Sequence, residues 1–389
     1  MLKIALIEPY DHGEVLYALC ELLLDQQNVA LFIFSQQYIQ GHAPESISGA
    51  GGITWFAFEA EERVAFFQEH RSHLNDCGLI LWITAAPPCG WMLELNLRPP
   101  LALVIHNRNN WFAPLGNLSI ATGTPVAFFK DVARLLRWLL FQRRQQRLLL
   151  QKAVAVGYGG RRILEEAKKE GRLPASGKAL WIPFAYQKHR PATEPPASGA
   201  VKIVIPGAVT DNGRDYCTIA RALALALPRF RQPVHLVLLG KAGAAKGLPE
   251  LRQLESERFG LTTFPEWVAQ KTYAAHLLDA DFLILPFRAW HKVGFVREYW
   301  GKSGFSGAVS DMVYYGLPAL CSPFHPLDAE LETWVERYSG HEELAALLVE
   351  WVNEQRFLEV KRTIRGYEGE LRRERASGLL MGQLMSLLK

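Results

Sequence analysis

Short apolar runs alternate with amphipathic stretches along most of the chain. Before residue 187 the apolar runs lie at 3–8, 29–34, 53–58, 79–84, 101–106, 153–157 and 179–182, and after residue 200 they lie at 201–206, 234–239, 281–285 and 318–321. The stretches between them carry apolar residues at helical spacing, for example 216–227 and 271–278. Strands that alternate with helices form crossover units, which build parallel sheets. The pattern therefore predicts an α/β fold with doubly wound sheets.

The alternation is interrupted at residues 187–200, where three prolines occur without any periodicity. Such a composition is typical of an interdomain linker. We therefore expect two Rossmann-like domains, residues 1–186 and 201–389, the second of which ends in closing helices. Open parallel sheets bind ligands beyond the carboxyl ends of their strands, so two such domains that face each other form a binding cleft.

Charge and cysteine content exclude several classes of protein. The chain has 43 Lys and Arg against 39 Asp and Glu, and its net charge of +4 is too small to indicate nucleic-acid binding. No apolar run is long enough to span a membrane, and the first residues do not have the pattern of a signal peptide. The five cysteines form no CxxC pair. We therefore expect a cytoplasmic protein with reduced thiols and no structural zinc site.

The stretch 299–318 combines a small-residue loop, a helix and a strong stop signal. Ser303 or Ser306 can cap the helix, Gly316 suits a left-handed position after it, and Pro318 cannot continue it. Free amides at such a helix N-terminus attract anions such as a diphosphate. The candidate contacts are Lys302, Ser303, Gly304, Phe305, Ser306 and Gly307, with Asp311 as an acceptor for ribose hydroxyls. A tight strand–helix connection without a ligand is the alternative.

Two loops in the first half carry titratable groups at strand ends. Asp11, His12 and Glu14 surround Gly13 after the first apolar run, and His106 ends the run at 101–106. Such groups can act as general acids or bases, or can stabilise developing charge. The alternatives are a capping or exposed role for His12 and a purely structural role for His106.

The order and spacing of these segments resemble the GT-B glycosyltransferases, in particular the retaining family-4 group. The donor motif of that group consists of a glutamate, a glycine-rich loop, a second glutamate and a small-residue helix that ends in Gly-x-Pro. Here Gly316, Leu317 and Pro318 match the end of the motif, Asp311 takes the place of the second glutamate, and Ser303 takes that of the first.

The resemblance implies an enzyme that moves a sugar, with retention of configuration, from a nucleotide-diphosphate sugar to a glycan or a lipid-linked acceptor. It implies donor binding by the C-terminal domain and acceptor binding by the N-terminal domain. The nucleotide sugar would be a co-substrate, and no further cofactor is implied. No metal is implied either, because no Asp-x-Asp pair follows a predicted strand and helix dipoles can neutralise the leaving group.

The resemblance also assigns roles to residues of this chain. Gly13 would contact the donor phosphates, Asp311 the ribose, and His106 the transferred sugar. Arg214 falls at the place of the family's diphosphate-binding lysine. If the reaction inverts configuration instead, a base must deprotonate the acceptor, and Asp11, His12 and Glu14 are the candidates for that base.

Two other functions stay open at this stage. Since one fold can host different reactions, the chain could be a nucleotide-sugar epimerase. It could also be a non-catalytic homologue that supports a partner transferase. Ser303 in place of the first glutamate, and Ala208 at the place of a phosphate-binding arginine, favour that possibility.

A basic, aromatic-rich stretch at 130–152 is a candidate for peripheral membrane contact. It carries one acidic residue, Asp131, and its cations are Lys130, Arg134, Arg137, Arg143, Arg144, Arg147 and Lys152. Helices of this composition can lie on an anionic membrane surface, within reach of a lipid-linked acceptor. The alternative is an ordinary helix with one buried face.

Overall fold

The computed structural model describes residues 1–192, 194 and 199–388, and these residues form two parallel sheets and an antiparallel hairpin. The first sheet has the order β3-β2-β1-β4-β5-β6-β7. Its strands are β1 (Leu2–Glu8), β2 (Val29–Gln36), β3 (Ile53–Phe58), β4 (Leu79–Trp82), β5 (Leu101–Val104), β6 (Ala155–Tyr158) and β7 (Ala179–Trp181).

The second sheet repeats the arrangement of the first in the order β10-β9-β8-β11-β14-β15. Its strands are β8 (Val201–Pro206), β9 (Val234–Lys241), β10 (Phe259–Phe264), β11 (Phe282–Leu285), β14 (Ala319–Cys321) and β15 (Val335–Arg337). The hairpin pairs β12 (Trp290–Val293) with β13 (Val296–Tyr299). In both sheets the order reverses beside the first strand of the domain, which is where open sheets bind ligands.

Helices cover both faces of each sheet. In the first half they are α1 (Gly13–Leu24), α2 (Gln37–Gly41), α3 (Glu45–Ser48), α4 (Arg63–Glu69), α5 (Arg71–Asn75), α6 (Gly90–Glu94), α7 (Arg108–Phe112), α8 (Pro125–Arg137), α9 (Arg143–Lys152) and α10 (Arg161–Lys169). In the second half they are α11 (Tyr216–Ala226), α12 (Leu248–Gln253), α13 (Gln270–Leu278), α14 (Gly307–Tyr315), α15 (His341–Asn353), α16 (Phe357–Arg365) and α17 (Arg373–Met385). A π-helix, Trp138–Gln142, connects α8 to α9, and short 3₁₀ turns lie at Ala60–Glu62, Leu115–Asn117, Leu227–Arg229 and Ala329–Trp334.

The predicted fold class is confirmed, and each predicted strand is present to within two residues at either end. The strands were recognisable because parallel sheets covered on both faces select near-continuous apolar runs. In β1, for example, every residue from Ile4 to Glu8 is buried. Strands β4 and β5 end two residues earlier than predicted, so Thr84 and His106 stand just beyond them.

The last helix, α17, which the predicted boundary at 201–389 assigns to the second domain, packs against the first. Its buried residues Ala376, Leu380 and Leu384 belong to the same apolar core as α1. Arg373 also forms an ion pair with Asp25, with its Nε 2.7 Å from Oδ2. The chain therefore crosses between the domains a second time before it ends. Of the predicted linker 187–200, residues 193 and 195–198 lie outside the described residues.

Hairpin β12–β13 projects from the second domain and packs against the first. The backbone amide of Ser119 donates to the carbonyl of Phe295 (2.8 Å), and Lys292 forms an ion pair with the buried carboxylate of Asp131. The carboxylate of Glu298 accepts hydrogen bonds from the amide of Asn110 (2.7 Å) and from that of Asn109. The hairpin therefore holds the two domains together along one side of the cleft.

No helix within the described residues is both long and apolar enough to cross a membrane.

Candidate active site

A stack of aromatic rings lies at the carboxyl ends of β1, β5 and β7. The rings of His12 and His106 are 4.3 Å apart and nearly parallel, and His106 stacks on Phe184 at 4.6 Å. The Nε2 atom of His106 lies 2.9 Å from the carbonyl oxygen of Ile83. Since a carbonyl can only accept, Nε2 carries the proton of the neutral ring and Nδ1 is left as the acceptor.

The two stacked histidines differ in their tendency to bind a proton. Burial, together with the charge of His12, holds the pKa of His106 well below its ordinary value. Burial also lowers the pKa of His12, but the hydrogen bond and charge of Glu14, together with Glu8, outweigh this effect, so the pKa of His12 is raised. His12 therefore protonates first, and His106 stays neutral.

A buried carboxyl group lies beneath this stack, at the end of β1. Burial raises the pKa of Glu8 to about 7, although the charge of His12 and hydrogen bonds from Thr84 and Tyr10 oppose the shift. The sequence analysis did not select Glu8, although an acidic residue that ends an apolar strand was a visible signal. Glu8 can exchange a proton near neutral pH, directly under the cleft.

The N-terminus of α1 opens into the cleft beside His12. Helix α1 begins at Gly13, and no side chain caps it. A Cβ atom at Gly13 would lie 3.3 Å from the hydroxyl oxygen of Tyr17 and 3.4 Å from Ile39, so a larger residue would crowd this turn. Glu14 lies in the first turn, where its carboxylate also pairs with His12.

The N-terminus of α14 faces the first domain across the cleft. Ser306 precedes the helix but its side chain forms no capping bond. The amides of Ser306, Gly307 and Ala308 donate to no acceptor in the part of the chain that the structure describes. Gly307 is exposed, and a Cβ atom there would meet nothing within 4 Å. The N-terminus of α14 therefore presents free amide donors beside open space, as an anion site requires.

The residues just before this helix are engaged elsewhere. The amides of Ser303 and Gly304 both donate to the carbonyl of Tyr299, and the Ser303 hydroxyl oxygen accepts from the Tyr299 amide at 2.8 Å. Gly304 forms a backbone bridge to Asn107. Phe305 packs edge-on against Phe184, with ring centroids 5.2 Å apart. The amides of Lys302, Ser303 and Gly304 in the predicted loop are thus engaged within the turn, and the loop joins the two domains.

Arg214 lies at the carboxyl end of β8 with an unpaired donor. Its Nη1 atom is buried and has no hydrogen-bond partner among the described residues. Gly207 makes room for this side chain, because a Cβ atom there would lie 2.5 Å from Nη2 of Arg214. Gly207 also has a φ of +94°, which favours glycine. A guanidinium with an unmet donor at a strand end is suited to receive an anion.

Asp311 lies in α14 and shares the cleft with Arg214 and Glu14. Its carboxylate accepts a hydrogen bond from the Tyr273 hydroxyl at 2.6 Å. Burial raises the pKa of Asp311 to about 7, the Glu14 charge contributes to this rise, and Tyr273 and Arg214 oppose it. Tyr273 was missed by the sequence analysis, because nothing in the pattern of α13 distinguishes it from a core residue.

Lys302 is placed differently from the other predicted residues. Its side chain is exposed and lines a separate cavity with Arg108, Glu170 and Arg172. None of the residues that line this cavity belongs to the group formed by His12, Gly13, Glu14, His106, Arg214 and Asp311. Within the described residues, no cluster of three His, Cys, Asp or Glu side chains is arranged to hold a metal ion.

Comparison with known proteins identifies the fold. No protein-family model matches the chain, and no curated protein matches it by sequence. The pneumococcal O-GlcNAc transferase GtfA, solved with UDP and GlcNAc, aligns with 100% of this chain and 99% of its own at a TM-score of 0.63 and 8% identity. HepE of Anabaena, solved with UDP-glucose, aligns over 100% of this chain and 99% of its own at a TM-score of 0.56 and 12% identity. The chain has the GT-B fold.

The GT-B fold is shared by proteins of different activity. A Listeria monocytogenes protein described as a candidate UDP-N-acetylglucosamine 2-epimerase aligns with 97% of this chain and 94% of its own, at a TM-score of 0.52 and 11% identity. At identities this low, the structural similarity establishes the fold but not the reaction. The reaction has to be argued from the site.

Proposed function

We propose that this GT-B protein transfers a glycosyl group from a nucleotide-diphosphate sugar to an acceptor. The proposal rests on two groups of hydrogen-bond donors that lack an acceptor and lie where the strand order of the second sheet reverses. These are the free amides of Ser306, Gly307 and Ala308, and the buried Nη1 of Arg214. Both sets suit a diphosphate, and both lie opposite the stack of His12 and His106.

Each group in the cleft has a role under this proposal. The α14 amides and Arg214 hold the diphosphate and stabilise the charge that develops on it, while the Asp311 carboxylate accepts hydrogen bonds from the ribose. The N-terminus of α1 at Gly13 adds further donors. The neutral His106 presents Nδ1 to a sugar hydroxyl, since its Nε2–H is held by Ile83.

For the stereochemistry we propose retention, with the leaving phosphate as the base that takes the acceptor proton. His12, the imidazole stacked on His106, is biased towards its protonated form by Glu14 and Glu8 and is therefore poorly suited to act as that base. The test is the anomeric configuration of the first product by NMR. An inverted product would contradict this part of the proposal and would return Asp11, His12 and Glu14 to consideration.

Calorimetric titration with UDP and UDP-sugars tests the donor site. UDP is the first choice because the similar structures of GtfA and HepE contain it or its glucose derivative. Arg214→Gln should weaken binding about tenfold to a hundredfold, since a hydrogen bond to a charged group contributes about 1.5–3 kcal/mol. Asp311→Asn should weaken it as well. The control is Arg221→Gln, which removes an exposed arginine of α11. Equal affinity of Arg214→Gln and the control would refute the assignment.

Epimerisation stays a second candidate function, because an epimerase candidate has a similar fold. An epimerase would convert the nucleotide sugar with no acceptor present, whereas a transferase requires one. A non-catalytic homologue would bind the nucleotide sugar or a partner enzyme and would convert nothing. One NMR time course, with and without an acceptor mixture, separates the three possibilities.

We further propose that helix α8 and the π-helix after it lie on an anionic membrane surface, which would bring a lipid-linked acceptor to the cleft. A stripe at helical spacing, formed by Val126, Phe129, Ala133, Leu136 and Leu140, faces solvent along its whole length. Phe129 is 67% exposed and Leu140 69% exposed. Cations flank the stripe at Lys130, Arg137 and Arg144. An apolar face between cations is the pattern of an interfacial helix.

Co-sedimentation with lipid vesicles tests this surface. The protein should pellet with vesicles that contain phosphatidylglycerol and much less with pure phosphatidylcholine. The double variant Phe129→Ser, Leu140→Ser should stay in solution. Leu225→Ser removes an exposed leucine from α11 in the other domain and serves as the matched control. Unchanged pelleting of the double variant would refute the membrane proposal without affecting the donor site.

A further inference from the structure

A second cavity lies between the domains, separate from the cleft described above. It has a volume of about 290 Å³. The first domain contributes Arg108, Glu166, Glu170 and Arg172, and the second contributes Tyr299 and Lys302. The backbone bridge between Asn107 and Gly304 runs beside it. The cavity is therefore built from both domains.

Arg108 in this cavity is buried and only partly satisfied. Its side chain is 4% exposed, and Nη2 donates to Oε1 of Glu170 at 2.9 Å. The Nε and Nη1 atoms are buried and find no acceptor among the described residues. Leaving donors of a buried charged group unpaired costs about 1–3 kcal/mol each. An acceptor that is not part of the chain is therefore expected beside this side chain.

The charges around the cavity favour an anion as that acceptor. Glu170 already accepts from two arginines, because its Oε2 lies 2.8 Å from Nε of Arg172. Lys302 forms no ion pair with any described residue. The cavity is therefore lined by three cations, Arg108, Arg172 and Lys302, but by only two carboxylates, Glu166 and Glu170. Both arginines share Glu170. Arg108 therefore contributes two unmet donors from the first domain, and Lys302 lines the same cavity from the second.

We propose that this cavity binds a phosphate group, either inorganic phosphate or a small phosphate monoester. One phosphate oxygen can accept from an unmet donor of Arg108 while another accepts from Lys302, which lines the cavity from the other domain. The bound phosphate joins Arg108 of the first domain to Lys302 of the second, so it stabilises the closed arrangement of the domains. The site is independent of the nucleotide-sugar site, with which it shares no residue.

Binding of inorganic phosphate and of glycerol 3-phosphate, measured by calorimetry and thermal shift, tests the proposal. Lys302→Gln, an exposed substitution with no folding risk, should weaken phosphate binding about tenfold or more. Arg108→Lys, which keeps the charge but loses the two unmet donors, should weaken it too. Tighter binding of the ester than of inorganic phosphate would identify a monoester as the ligand, and the reverse order would identify free phosphate.

A crossed comparison with Arg214→Gln separates the two sites. Phosphate binding should persist in Arg214→Gln, while UDP binding should persist in Lys302→Gln. The proposal is overturned if phosphate fails to bind, or if Lys302→Gln and Arg108→Lys bind phosphate like the unmodified protein. It is equally overturned if Arg214→Gln alone abolishes phosphate binding, because phosphate would then occupy the nucleotide site.

Discussion

Substituting Glu298 by glutamine should change how the stability of the protein depends on pH. Glu298 lies on β13, and its buried carboxylate accepts hydrogen bonds from the amides of Asn109 and Asn110 in the other domain. Burial raises the pKa of Glu298 from 4.5 to about 7, although hydrogen bonds from Ser303 and the two amides oppose the shift. The carboxyl group therefore holds its proton more tightly in the folded protein than in the unfolded chain.

The sign and size of the effect follow from proton linkage. Because the folded-state pKa is raised, the group favours folding below about pH 4.5 and progressively loses that contribution as the pH rises to about 7. Between about pH 5 and pH 8 the loss amounts to about 2–3 kcal/mol. Glu298→Gln abolishes this dependence. In this variant the side-chain NH2 group of the glutamine faces a backbone N–H. This loss of a hydrogen bond lowers the free energy of unfolding by about 1–3 kcal/mol, and by the same amount at every pH.

Urea unfolding followed by tryptophan fluorescence, repeated across this pH range, measures the effect. The free energy of unfolding of the variant relative to the unmodified protein should rise by about 2–3 kcal/mol from pH 5 to pH 8. Glu257→Gln, at an exposed glutamate, should show no such trend. If the curves of Glu298→Gln and the unmodified protein stay parallel over the whole range, the reasoning is wrong.

Three further predictions concern the cleft. Gly207→Ala should displace Arg214 and weaken UDP binding, measured by calorimetry, as Arg214→Gln does. Its control is Gly294→Ala, because Gly294 also has a positive φ but has open space around it; this variant should bind UDP normally. Tyr273→Phe removes a hydrogen bond that lowers the pKa of Asp311. The pH below which UDP affinity falls should therefore move upward from about 7. An unchanged pH midpoint of UDP binding would contradict the role of Asp311 in binding. In ¹⁵N NMR spectra near pH 6, His106 should remain a neutral ring protonated at Nε2 while His12 is protonated first, and the opposite order would show that the stack is wrongly described.

The sheets could be predicted from the sequence because their strands are buried on both faces, as in β1 and β8. The hairpin β12–β13 could not, since its residues His291, Lys292 and Glu298 look like those of a solvated loop. Two of these charges are satisfied by the other domain, at Asp131 and at the amides after β5. Because these partners lie more than a hundred residues away in the chain, the local sequence pattern of the hairpin does not reveal them. Strand β10 was missed for a simpler reason, since its glycine and two threonines break the apolar run.

The positions of His106 beyond β5 and of Asp311 in α14 could be predicted, because they depend on a strand end and on a helix start, while the roles of both residues stay predictions. The placement of Lys302 could not, because the turn from Tyr299 to Gly304 folds back on itself and directs Lys302 away from the start of α14. The same turn uses the amides of Ser303 and Gly304 internally. The amides next to the start of α14 in the sequence are therefore not all free in the structure.

Because α17 returns to the first domain, the chain connects the two domains at two places. The amide of Gln187 donates to the carbonyl of Leu371 at 2.7 Å, and Gln187 forms a bridge to Arg372, so the two crossings of the chain lie side by side. The domains are therefore joined at this double crossing and again through hairpin β12–β13, so that the relative positions of His106 and Asp311 are constrained at two separate places.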